Sequence, residues 1–75
     1  MKTGSEGRPL TPAVVNFLLH CYECSGWCSN DPIQVYPSVI AAAERRGLVA
    51  VEREGGLPAA ALLTREGMLA MRRYK

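Results

Sequence analysis

PSVIAAAERR (37–46), Gly47, LVAVERE (48–54), Gly55-Gly56, LPAAALL (57–63) and TREG (64–67) follow one another without a linker, and each carries a distinct backbone signal. Val39, Ile40 and Ala43 fall at helical spacing behind Pro37, which sits at a first helical position where its missing N–H costs nothing. Gly47 supplies a left-handed stop, and Arg45 and Arg46 place positive charge at the favoured end. Val49 and Val51 then alternate with Ala50 and Glu52 as a half-buried strand should. Gly55-Gly56 turns the chain, and Leu57 to Leu63 returns, with donor-less Pro58 suited to a strand start or edge. Thr64 caps a closing helix in which Met68, Leu69 and Met71 are expected to pack inward. Helix, two-stranded hairpin and helix in that order define an α+β domain.

Upstream, Thr11-Pro12 opens a further helix: a hydroxyl cap, a proline at the first position, and Leu10 placed to staple onto Val15. Val14, Val15, Leu18, Leu19 and Tyr22 recur at spacings of three and four, and Phe17 and Cys21 widen the stripe, so the helix is expected to run to about Tyr22. So broad a face fits the central helix of a small core, or a helix covered also by a second copy of the chain. ECSGWCSNDP (23–32) is loop chemistry, and Ile33-Gln34-Val35 reads as a short extended segment before Tyr36-Pro37. Residues 1–9 are polar and glycine-bearing and read as a loose tail, leaving 10–75 as one domain.

AAAERRGLVAVE (41–52) resembles the recognition-helix end of winged-helix regulators, where a helix breaks at glycine into "GLV" or "GLI", and LLTREGMLAM (62–71) resembles the "LTEKG" signature that opens their final helix. Transcriptional regulators of the PadR and MarR type carry both. With LLHCY (18–22), a loop and a proline-started helix, the chain is more similar still to small phage- and prophage-encoded winged-helix proteins. The resemblance implies a minimal winged helix: three helices, a two-stranded wing, and an irregular loop in place of the usual middle helix. It also implies a transcriptional regulator that binds DNA in the host cytoplasm.

The 75 residues permit one small core, and a net charge of +2 permits nucleic-acid contact without arguing for it. No apolar run is long enough to span a bilayer, the N-terminus lacks a signal-peptide core, and three cysteines make an odd count, so a cytoplasmic protein is expected. For DNA, the candidates are Arg45, Arg46 and Arg53 on phosphate, with Ser38 and Gln34 nearest to base edges. Glu52 and Glu54 beside Arg53 oppose that use, and Ala41 and Ala42 offer no base-reading group. The other candidate partner is a host protein, met by Trp27, Tyr36, Ala41, Ala42 and Arg45, which together supply aromatic anchors, an arginine and a smooth small-residue strip, although Trp27 suits a cap on the small core equally well.

Cys21, Cys24 and Cys28 with His20 are the ligand types zinc prefers, but they form a single cluster without a second half, and Cys21 lies on the apolar face. The expectation is therefore free thiols and no cofactor. A single histidine, Glu23 and Asp31 without an evident acid–base pairing, and no phosphate loop or nucleophile motif point away from an enzyme and from a small-molecule substrate.

Overall fold

The computed structural model describes residues 10–74. Within them the chain forms three helices and a three-stranded antiparallel sheet: α1 (Pro12–Cys24), β1 (Trp27–Cys28), α2 (Pro37–Arg45), β2 (Val49–Glu54), β3 (Leu57–Leu63) and α3 (Arg65–Tyr74). The expected tail, residues 1–9, and the terminal Lys75 lie outside the described residues. Among the described residues no helix is long and apolar enough to cross a membrane.

α1 is the hub, touching α2, α3, β1 and β3. Thr11 caps it as the sequence implies, its Oγ1 accepting from the Val14 N–H at 3.3 Å. The helix runs one half-turn past Tyr22, to Cys24, because Ser25 adopts the left-handed conformation (φ 61°) and the Gly26 N–H closes onto the Cys21 carbonyl at 2.8 Å. Its buried stripe is Val14, Phe17, Leu18 and Cys21, while Val15, Leu19 and Tyr22 flank it half-buried. Ile40 and Ala43 of α2, Leu48, Val49, Ala61 and Met71 complete the core around it. Burying Phe17, Leu18, Ile40 and Met71 contributes roughly 1.5–3 kcal/mol each.

The sheet departs from the expected two-stranded hairpin. Its order is β1-β3-β2, because Trp27 and Cys28 pair with Ala61 and Ala60 on the outer edge of β3. The segment read as pure loop therefore holds a short strand, and the rest of residues 29–36 carries no helix or strand. Ile33 and Val35 sit half-buried against the core and Gln34 and Tyr36 point outward, so that stretch is alternating but has no ladder partner. Trp27 is the reason the short strand holds. Its ring meets Phe17 edge-on with centroids 6.0 Å apart, and only 6% of the residue remains exposed. Of the two places open to it, interface anchor or cap on the small core, Trp27 takes the second: the indole belongs to the core.

α2 ends in a Schellman motif, with the Leu48 N–H on the Ala43 carbonyl (3.0 Å) and the Gly47 N–H on the Glu44 carbonyl (2.9 Å). Gly47 takes the positive φ (75°) that this geometry demands. β2 and β3 pair from Val49–Leu63 to Glu54–Leu57, and the register shifts between Glu52 and Arg53. Pro58 lies where β3 pairs only with β2, consistent with its missing donor.

α3 meets the turn after α2 through Thr64. Its backbone N–H donates to the Leu48 carbonyl (3.0 Å), its hydroxyl donates to the Gly47 carbonyl (2.6 Å), and the same oxygen accepts from the Gly67 N–H (3.1 Å). Gly67 is buried, and a Cβ there would overlap the Leu48 carbonyl oxygen and lie 2.9 Å from Leu63 Cδ2. The inward face of α3 is thus Gly67 and Met71, one turn apart. The expectation that Met68 and Leu69 pack inward is overturned: they are 50% and 48% exposed. Hydrophobic character alone misplaced them, because the inward stripe of this helix begins at a glycine.

Candidate functional site

Three surfaces hold the residues that could act. The first is the outer side of α2 with the hairpin. Ser38 and Arg45 are exposed on α2, and Gln34 and Tyr36 are exposed just before it, Tyr36 at 77%. Ala41 and Ala42 are half-buried, Ala42 against the core, so the smooth exposed strip expected of them is narrower than its sequence suggests. Arg46 is half-buried and engaged within the fold.

Arg53 is held by a two-pronged contact, Nη2 to Glu44 Oε1 at 2.7 Å and Nη1 to Glu44 Oε2 at 3.0 Å. These hydrogen bonds, and the opposite charges behind them, push the Glu44 carboxyl below its ordinary value and the Arg53 guanidinium above its own. Between residues 44 and 54, Arg45, Arg46 and Arg53 are matched one for one by Glu44, Glu52 and Glu54. This surface presents shape but almost no net charge.

The second surface lies between the C-terminal end of α1, the end of β3 and α3. Two adjoining depressions of about 290 and 580 Å³ share Tyr22 and Met68. Leu62 and Leu63 line the first, and Leu69, Arg65 and Arg72 the second. Leu62, Met68 and Leu69 are each close to half exposed (54%, 50% and 48%), which is unusual for neighbouring large apolar side chains. Among the described residues no carboxylate lines either depression, and neither Arg65 nor Arg72 is in an ion pair. The groove follows from the seating of α3 on Gly67, which leaves Met68 and Leu69 outward, and from β3, in which Ala61 is buried and Leu62 exposed.

The third surface is the cysteine loop. Cys21 is buried, and burial foremost, then the nearby Asp31 and Cys24 charges, pushes its thiol up to about 11. It behaves as a small core hydrophobe. Cys24 and Cys28 are exposed free thiols. His20 does not turn toward Cys21. Its Nδ1 lies 3.7 Å from the Cys24 sulfur, one helical turn on, and its Nε2 lies 3.1 Å from Asp31 Oδ2. That carboxylate oxygen also accepts from the Cys28 N–H at 3.0 Å, and the Asp31 N–H returns to the Cys28 carbonyl at 3.0 Å. The backbone N–H, then His20, hold the Asp31 carboxyl below its ordinary value. Among the described residues no three His, Cys, Asp or Glu side chains are arranged to hold a metal ion. The zinc set Cys21, Cys24, Cys28 and His20 does not come together, since Cys21 points into the core and His20 is turned to Asp31.

Two arrangements were missed in the sequence. His20 and Cys24 carry a usable signal, the i, i+4 spacing that places them on one helix face. Asp31 joins them only through the Cys28–Asp31 turn, which no spacing rule reveals. The groove had its signal in Gly67 and Met71, also i, i+4. Comparison with known proteins adds no assignment: no protein-family model, no curated protein and no solved structure matches the chain.

Proposed function

We propose that the chain is a non-catalytic docking domain of the winged-helix type, which seats an acidic, amphipathic segment of a partner protein in the groove between α1, β3 and α3. The sheet order β1-β3-β2, with α2 feeding directly into the hairpin, supports the winged-helix assignment. One observation carries the function: exposed Leu62 and Met68 line one depression and exposed Met68 and Leu69 the next, both beside Tyr22. A contiguous exposed apolar cluster marks an interaction site. Arg65 and Arg72, with no carboxylate in the lining, set the charge of the partner, because a second copy of the same groove would bring arginines against arginines. An apolar helix face flanked by Asp or Glu meets both requirements. The resemblance to small phage and prophage proteins makes a host cytoplasmic protein the natural partner, with the chain as adaptor or inhibitor.

DNA-binding regulation is the second reading, favoured by the exposure of Ser38 and Arg45 on α2 and of Gln34 just before it. The balance of three arginines by three glutamates, and the Glu44 contact on Arg53, weigh against it.

Selection from a random peptide display library, with the Met68→Glu protein as the counter-target, tests the docking reading. Enriched peptides should carry apolar residues at i, i+3 and i+4 with acidic flanks, and should bind Met68→Glu at least roughly tenfold more weakly. Met68 is exposed, so this variant keeps its melting temperature. Failure to enrich such peptides, together with low-salt binding of a random DNA duplex that Arg45→Ala removes, overturns the docking reading in favour of the regulator.

A further inference from the structure

The contacts of Cys24, His20 and Asp31 run in one line: thiol to Nδ1 at 3.7 Å, Nε2 to carboxylate at 3.1 Å. We propose that Cys24 is a reactive thiol, a modification site for small hydroperoxides, with His20 as its base and Asp31 as the group that sets the His20 tautomer. This site is independent of the docking groove.

The argument is one of donors and acceptors. Asp31, held below its ordinary carboxyl value, is an acceptor only, and its Oδ2 already takes the Cys28 N–H. The second partner of that oxygen, His20 Nε2, must therefore carry a hydrogen. In the neutral ring this leaves the lone pair on Nδ1, which faces the Cys24 sulfur. The thiol proton is then placed to move onto the imidazole as the sulfur attacks, and the thiolate is the reactive form of cysteine. The carboxylate is fixed by the paired Cys28–Asp31 backbone contacts at the end of β1, and His20 and Cys24 are fixed by their spacing on α1.

Exposure chooses the reactant. Cys24 is open to solvent, which suits a small reactant that does not have to be enclosed and oriented. A hydroperoxide needs only the sulfur and a proton relay. The Cys24 sulfur attacks the terminal peroxide oxygen, the S–O bond forms and the O–O bond breaks. The thiol proton passes through His20 Nδ1 to the departing alkoxide, or to hydroxide when the reactant is hydrogen peroxide, giving a sulfenic acid and an alcohol or water. Sulfur is oxidised by two electrons and the peroxide is reduced by two.

The protein supplies its own controls. Cys28 is as exposed in kind but has no imidazole, since His20 is the one histidine of the chain, and Cys21 is buried. The experiment is a timed reaction of the reduced protein with hydrogen peroxide in the presence of a sulfenic-acid trap, with each cysteine resolved by fragment mass spectrometry. Cys24 should be trapped at least about tenfold faster than Cys28, with Cys21 unmodified. His20→Gln should bring the two exposed thiols to within about threefold while Cys21 stays protected, which reports an intact fold.

Asp31→Asn should act in the same direction by a different route. The replacement amide can donate to Nε2, moving the ring hydrogen to Nδ1 and removing the acceptor from Cys24. Equal rates at Cys24 and Cys28 in the unmodified protein overturn the proposal. So does a Cys24 advantage that survives His20→Gln. If His20→Gln exposes Cys21, the Asp31→Asn ratio decides.

Discussion

Replacing Gly67 with alanine should destabilise the protein, although the same change in an exposed helix normally stabilises it. Gly67 is the third residue of α3, and alanine there would gain about 1 kcal/mol of helix propensity. Against this, the added methyl would overlap the Leu48 carbonyl oxygen, lie 3.0 Å from the Leu48 carbonyl carbon and crowd Leu63 Cδ2 at 2.9 Å. Leu63 can turn aside, but the Leu48 carbonyl cannot, because it follows the Schellman turn and accepts from the Thr64 N–H. α3 must withdraw from the turn, at about 1–3 kcal/mol for overpacking and about 1 kcal/mol for the strained Leu48–Thr64 bond. The net is a loss of about 2 kcal/mol, or roughly 8–16 °C in melting temperature for a domain of this size. Thermal unfolding followed by circular dichroism, with urea unfolding to check that the m-value is unchanged, measures it. Adding Leu63→Ala should recover only a minor part, since the harder contact is with backbone. A melting temperature equal to or above that of the parent would refute the seating of α3 on the α2–β2 turn.

Two further outcomes follow from single contacts. The Trp27 Nε1–H is buried without a hydrogen-bond partner among the described residues, a burden of about 1–3 kcal/mol, so Trp27→Phe should lie within about 1 kcal/mol of the parent in urea unfolding, while Trp27→Ala should cost about 3–5 kcal/mol. Equal losses for Phe and Ala would mean that the indole N–H is satisfied. Asp31 has a folded-state value below its ordinary 3.8, so its contacts add stability that is fully present above that pH and is lost as pH falls through the lower folded value. Stability measured from pH 5 downward should therefore fall less steeply in Asp31→Asn than in the parent, and identical slopes would remove the His20–Asp31–Cys28 contacts from the account.

The parts of the fold that were legible in the sequence are those set by local rules. Thr11-Pro12 opens α1, Gly47 stops α2, Gly55-Gly56 turns the hairpin and Thr64 caps α3, because each is a backbone requirement that a few residue types meet. β1 was not legible, since two residues, Trp27 and Cys28, carry no alternation, and their pairing depends on an edge of β3 more than thirty positions away. What makes the strand is tertiary: a single indole buried on Phe17. The same indole, read locally, sits among Ser, Gly and Asn and looks like loop.

The candidate sites show the same limit from the other side. Residue type nominated Arg53 for phosphate, but its function as a cation depends on what stands next to it, and Glu44, nine positions earlier, engages one N–H on each of its terminal nitrogens. Residue type also nominated the cysteines as a group, whereas the fold separates them by environment: Cys21 into the core, Cys24 against an imidazole, Cys28 onto open surface with only its backbone engaged. Met68 and Leu69 make the point most sharply. Apolar residues in an amphipathic helix are assigned inward by default, and the default fails where a glycine marks the inward face, because a helix that presses its backbone onto a neighbour leaves its larger side chains on the flanks. The close approach that Gly67 allows and the exposed groove that Met68 and Leu69 form are one structural event. The residue that seats α3 on the α2–β2 turn thereby leaves these side chains at the surface.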